Sequence, residues 1–425
     1  MEFQHTLEFA KTADNNDKLK YFRDEFHIPQ HNCKPTIYFT GNSLGLQPKK
    51  TKEIIFQELD DWAKYGVEGH FMANRPWVSY HELFPALLSP IIGGHPSEIV
   101  AMNQLTSNLH FLFVSFYRPT KSRYKIIMEG KAFPSDQYAV ESQVKFHGFL
   151  PDDAIIEVFP REGETCLRTE DITDAIEKNK DSIALVFFSG VNYYTGQVFD
   201  IKSITQKAKE INAICGFDLA HAAGNVELNL HDWGVDFATW CSYKYLNSGP
   251  GGVSGVFIHE KHSKEFSLPR FTGWWGHDKN TRFKMDKTFV PMEGAEGWQL
   301  SNAPVLSMAA HYASLKVFEA SGFENLLHKS KLLTDYLVFL LQDLHQQGTI
   351  TIITPFNTPE RGCQISMLIK NNGKQVYDGL MKEGVIVDWR EPDVIRLAPV
   401  PLYNSFEDVY NFITILRGLL KYKVL

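Results

Sequence analysis

The chain has 425 residues, 44% of them hydrophobic and 22% charged, with a formal net charge of −7. These are the proportions of an ordinary soluble globular protein, long enough for one large core and a smaller satellite domain. The acidic balance excludes a nucleic-acid footprint, and no window approaches the roughly 18 uninterrupted apolar residues that a membrane span needs.

The N-terminus, Met1 to Ala10, carries acids and lacks the basic and apolar regions of a signal peptide. Five cysteines (Cys33, Cys166, Cys215, Cys241 and Cys363) are scattered without a CxxC pair, as expected in a reducing compartment. A cytoplasmic protein with no metal-ligand set is therefore expected. Residues 1–75 mix helical patterns with loops and should pack with the smaller domain.

Over residues 76–310 short apolar runs alternate with helical patterns. The runs are Tyr124–Met128, Ile155–Phe159, Ile183–Phe188, Ala213–Phe217 and Val253–Ile258, with a further one at Ile99–Met102. Helical periodicity is clear in Leu109–Tyr117, Asp171–Lys178 and Ile204–Glu210. Such alternation predicts a large α/β domain on a mostly parallel sheet. The period is strongest from Ala309 to Leu344, where a break at Ser321-Gly322 predicts two helices leading into a second domain over 311–425. That domain reads as α+β, with strands near Thr349–Ile353, Gln364–Ile369, Val385–Asp388 and Val394–Ala398.

The candidate chemistry lies where these elements meet. Gln104-Leu-Thr-Ser-Asn108 opens a helix, so Thr106 and Ser107 can donate to a phosphate or simply cap the helix. Phe133-Pro-Ser-Asp136 starts another helix with Pro134 in its first turn; Phe133 can stack on a planar ligand or act as a hydrophobic staple. Ser189 and Asp218 end apolar strands, at the sheet edge where open α/β folds bind ligands. Asp218 can anchor a ring nitrogen or cap the next helix, and His221 can lie over that ring or be structural.

Lys244 is flanked by Trp240, Cys241, Tyr243, Tyr245 and Leu246 and followed by the Gly249–Gly252 loop. An apolar setting disfavours the charged form of an amine, which suits imine chemistry. Such a lysine, with an aspartate for a ring nitrogen, is what a pyridoxal phosphate (PLP) enzyme requires. Tyr243 is a candidate proton donor or phosphate ligand. Arg396, inside the apolar strand Val394–Ala398, calls for a carboxylate, either a substrate's α-carboxylate or an internal acid.

In combination these segments resemble the kynureninases, PLP-dependent hydrolases of the aspartate aminotransferase fold (fold type I). The resemblance is carried by Gly41-Asn-Ser-Leu-Gly-Leu-Gln-Pro48, Asn74-Arg-Pro-Trp77, Phe133–Asp136, Gly216–His221 with Gly224–Glu227, and His231–Phe237. It continues through Ser242–Asn247, Gly273-Trp-Trp-Gly-His277, Arg282–Asp286 and Arg396–Tyr403. It implies that Lys244 carries the covalent link to PLP, that Asp218 pairs with the pyridine nitrogen beside His221, and that Phe133 stacks on the ring. Leu105, Thr106, Pro134, Ser135, Asp136, Ser189 and Tyr243 would complete the cofactor pocket. Trp274 and Asn302 would reach it from the second subunit of a homodimer. Arg396 would hold the substrate carboxylate, and His70, Ser43 and Asn302 would border its aromatic end.

The implied reaction is hydrolytic cleavage of the Cβ–Cγ bond of L-kynurenine, or its 3-hydroxy form, to the anthranilate and L-alanine. It belongs to tryptophan catabolism and NAD biosynthesis, with Lys244, Tyr243 and Asp218 as catalytic groups and no metal. Two alternatives remain at this level: another fold type I enzyme, such as an aminotransferase or desulfurase, and a catalytically silent ligand-binding relative. A desulfurase needs an accessible nucleophilic cysteine, whereas Cys363 leads into an apolar strand and reads as structural.

Overall fold

The computed structural model describes residues 2–370 and 372–421. Seven strands form the central sheet: β1 (Ile99–Ala101), β2 (Lys125–Glu129), β3 (Ile155–Val158), β4 (Ile183–Ser189), β5 (Ile214–Asp218), β6 (Phe237–Trp240) and β7 (Gly255–Ile258). Their spatial order is β1-β7-β6-β5-β4-β2-β3. Only β7 runs antiparallel to its neighbours, β1 and β6.

Helices cover both faces, so the strands are apolar runs rather than alternating patterns. Ile126 and Met128 of β2 enter the core beneath the helices Leu105–Phe116 and Pro134–Phe146. Ile127, pointing the other way by the two-residue period of a strand, joins the opposite core with Ile172 and Ile204.

Two topological facts place the site. The sheet order reverses between β2 and β4, which opens a crevice at their carboxyl ends, where Glu129 and Ser189 lie. Because β7 returns antiparallel to β6, the 241–254 connection stays at that same edge and carries Lys244 with it.

A second, antiparallel sheet has the order Thr351–Ile352, Ile365–Leu368, Val394–Leu397, Asp388–Arg390. Its core combines Ile365 and Ile395 with Leu337 and Leu341 of helix Phe323–Gln346, Phe412 of helix Phe406–Lys421, and Ala10 of helix Leu7–Asn16. The N-terminal helix is tied to it further by Asp17, whose carboxylate lies 2.7 Å from the almost buried ammonium of Lys329.

The long helical stretch breaks as its sequence predicts, into Val305–Ser321 and Phe323–Gln346. Gly322 between them sits at φ 72°, which favours glycine. One strand differs from expectation. The run Val385–Asp388 changes partners midway: Val385–Ile386 pairs in parallel with Ile37–Tyr38, and Asp388–Arg390 joins the four-stranded sheet. Apolar periodicity cannot encode a switch of partner.

Candidate active site

Ten of the residues singled out from sequence line one cavity of about 160 Å³ at the carboxyl edge of the central sheet. They are Leu105, Thr106, Phe133, Ser135, Asp136, Ser189, Asp218, His221, Tyr243 and Lys244. Lys244 Nζ lies 3.1 Å from His221 Nε2, 5.9 Å from the Phe133 ring centre and 5.8 Å from that of Tyr243. Burial and the Lys244, Arg396 and Arg390 charges hold the His221 imidazole well below its ordinary pKa. It is therefore neutral at physiological pH.

Asp218 ends β5 with one oxygen accepting the Ala220 N–H at 2.6 Å. Its carboxyl is raised by burial, and that of Asp136 is raised well above the carboxylate range by burial and by the charge on Asp218. Two adjacent buried acids resist ionising together, so the pair holds a proton between them. Glu129 at the end of β2 accepts the Ser189 hydroxyl at 2.7 Å, and burial pushes it up to about 7. Burial also raises the Tyr243 phenol, which stays protonated.

The helix Leu105–Phe116 begins at this cavity, and its N-cap residue Gln104 makes no side-chain capping bond. An uncapped helix N-terminus is suited to a phosphate. Pro134 occupies the first turn of the neighbouring helix and fixes its start behind Phe133. Asp136 Oδ1 and His221 Nδ1 are buried without a hydrogen-bond partner, as polar atoms awaiting a ligand would be. Amine, ionised acid, aromatic face and anion site together fit PLP.

The N-terminal segment packs against the backbone of the loop that bears Lys244. The Gly45 N–H donates to the Tyr243 carbonyl at 2.8 Å, and a Cβ on Gly45 would stand 2.3 Å from the Lys244 carbonyl oxygen. Only glycine allows that approach.

The remaining predicted residues do not line the cavity of their own chain. Arg396 is fully buried; its guanidinium lies 2.7 Å from Asp388 and donates to the Tyr193 carbonyl at 2.6 Å. Of the two carboxylates that sequence allowed, the structure thus supplies the internal one, just behind the cavity-lining Tyr193. The Ser43 hydroxyl donates to the same Asp388. His70 contacts the Val67 carbonyl and the edge of Trp77. Trp274 is 47% exposed, with its indole N–H donating to the Arg282 carbonyl, and Asn302 is exposed.

Sequence reasoning missed Gln104, Glu129, Val191, Tyr193 and Ala220 in the cavity wall. Glu129 carried the signal that revealed Asp218, an acid directly after an apolar run. Cys363 is buried, its N–H donates to Asn225, and its thiol is pushed up to about 12 by burial. It is no accessible nucleophile.

The kynureninase C-terminal domain family model matches residues 326–416. A kynureninase of Flavobacterium psychrophilum is 57% identical over 99% of this chain and 100% of its own length. One from Rattus norvegicus is 49% identical over 97% of this chain and 92% of its own. Among solved structures, the cystine C-S lyase C-DES superposes with a TM-score of 0.76 at 18% identity, covering 91% of this chain and 97% of that one. A cysteine desulfurase from Thermococcus onnurineus gives 0.74 at 19% identity, over 91% and 95%. At such identities these last two speak for the fold alone.

Proposed function

This chain belongs to the kynureninase family, and on that premise we propose how its own residues carry the reaction. The protein is a PLP-dependent hydrolase that cleaves the Cβ–Cγ bond of kynurenine to give an anthranilate and L-alanine. One observation carries the assignment of roles: Lys244, Asp218, Phe133 and an uncapped helix N-terminus face the same cavity.

Lys244 would hold the cofactor covalently, with Asp218 for its ring nitrogen and Phe133 for a ring face. Thr106, Tyr243 and the first turn of helix Leu105–Phe116 take the phosphate. PLP supplies a carbonyl for amine exchange and a protonated ring that draws off the electron pair left at Cα. Asp218 would keep that ring nitrogen protonated. Lys244, displaced by the substrate amine, would accept the Cα proton and return it, so that alanine leaves with its Cα–H restored, with neutral His221 beside it to fix its direction. Water adds to the Cγ carbonyl, the Cβ–Cγ bond breaks with its electron pair on Cβ, and the Tyr243 hydroxyl protonates Cβ. Arg396 takes the α-carboxylate by exchanging Asp388 for it, while Asp388 keeps Arg390, whose Nε lies 3.1 Å away.

The working unit is a homodimer in the cytoplasm. Half-exposed Trp274 and exposed Asn302 complete the neighbour's cavity, and the exposed apolar side chains Phe271, Phe283, Met285 and Val290 supply contact surface. Among the described residues no helix is long and apolar enough to cross a membrane. The chain divides into a PLP-binding domain over 76–310 and the small domain with its linker helix over 311–425; residues 1–75, expected to pack with the small domain, do so only in part, since Ala10 and Phe39 join its core whereas Leu19, Phe26 and Leu46 join that of the large domain.

The test is purified protein loaded with PLP and given each substrate, following anthranilate fluorescence and alanine. Borohydride should fix the cofactor to wild-type protein and not to Lys244→Ala. Alanine–oxoacid exchange without anthranilate would instead mean transamination.

A further inference from the structure

Three side chains from distant parts of the sequence converge on the rim of the sheet opposite the cavity. His95 lies just before β1, His231 in the short helix before β6, and Glu260 just past the end of β7. The antiparallel run of β7 brings its end to the beginnings of β1 and β6. One ligand atom from each residue lies within 4.8 Å of the other two, and the two imidazole centroids are 4.0 Å apart.

Fully buried Glu98 gathers all three. One oxygen accepts the His95 backbone N–H at 2.8 Å; the other accepts the Glu260 N–H at 2.7 Å and faces His231 Nδ1 at 2.9 Å. A carboxylate on Nδ1–H fixes the tautomer and leaves the Nε2 lone pair of His231 for a ligand. His259, stacked on that ring at 5.0 Å and 22°, holds its plane. Such a buried carboxylate behind an imidazole is how proteins orient histidines that bind metal.

We propose that His95, His231 and Glu260 bind a divalent transition-metal ion of the zinc class through two imidazole nitrogens and one carboxylate oxygen, with water completing the shell. The overlapping trio Glu98, His231 and His259 does not compete. His259 Nδ1 accepts the Lys261 N–H at 3.1 Å and its Nε2 lies 3.2 Å from the His231 carbonyl, so both nitrogens are engaged. The ion ties three segments together away from Lys244 and therefore acts on stability rather than on turnover.

The experiment is calorimetric titration of chelator-stripped, PLP-loaded enzyme with zinc chloride, with cobalt(II) absorption reporting the ligand set. Wild type should bind one ion per chain and melt at a higher temperature with it. His95→Ala and Glu260→Gln, both at exposed positions, should keep cofactor loading and turnover but lose the melting shift and at least about tenfold in affinity. Glu98→Gln should bind about 10- to 100-fold more weakly. Binding unchanged in His95→Ala and Glu260→Gln, or no binding up to millimolar zinc, overturns the site.

Discussion

At the residue scale the cavity is an arrangement of proton positions. Tyr243 is kept protonated by burial and so has a proton to give. Tyr243→Phe, assayed at saturating PLP, should lower kcat by about 100- to 10,000-fold, as single-turnover release of alanine would show. Wild-type single-turnover rates in that variant would remove the role. Glu129 gives a stability prediction for the cofactor-free protein. Its folded pKa of about 7 lies above the ordinary 4.5, so between those values the folded chain holds a proton that the unfolded chain has lost. Its contribution is complete below 4.5, falls as pH rises to about 7 and is constant above, a loss of at most about 3 kcal/mol. Glu129→Gln should remove that slope in urea titrations of the apoprotein across this range. An unchanged slope would place the proton elsewhere.

At the element scale, function depends on how segments far apart in sequence touch. The Gly41–Pro48 segment carries no group that lines the cavity, yet Gly45 lies against the loop that bears Lys244. Gly45→Ala should push that loop outward and weaken PLP binding by about tenfold or more while the far-ultraviolet spectrum stays native; equilibrium dialysis of the cofactor checks it. The N-terminal helix is held differently, through Asp17 and buried Lys329. Asp17→Ala leaves that ammonium unpaired and should cost about 3–5 kcal/mol in urea unfolding. Adding Lys329→Met should recover most of the loss. A small cost in the single variant would show that water reaches the ammonium.

At the scale of the whole molecule, a single chain builds the cofactor cradle but leaves Trp274 and Asn302 on its surface. In a homodimer with shared sites, Lys244→Ala and Trp274→Ala damage different halves of each site. Both variants alone should be nearly inactive, and mixed, refolded subunits should regain about a quarter of wild-type activity, since only heterodimers hold one intact site. No recovery would mean that each chain works alone.

The sequence by itself determined most of the elements and which side chains would meet at one edge of the sheet. Apolar runs ending in Asp218 or Ser189 mark strands and their carboxyl edge, because burial and backbone period are local properties; Lys244, expected from its apolar neighbours to be kept from water, is only half-buried. The same local pattern held Glu129, which went unread because no partner in the sequence pointed to it. Only the tertiary structure decided that β7 would turn back to hold Lys244 over the crevice, that Arg396 would meet Asp388, and that Val385–Asp388 would divide between two partners. Those outcomes depend on which surfaces meet after the chain has closed large loops, and no periodicity along the chain records such meetings.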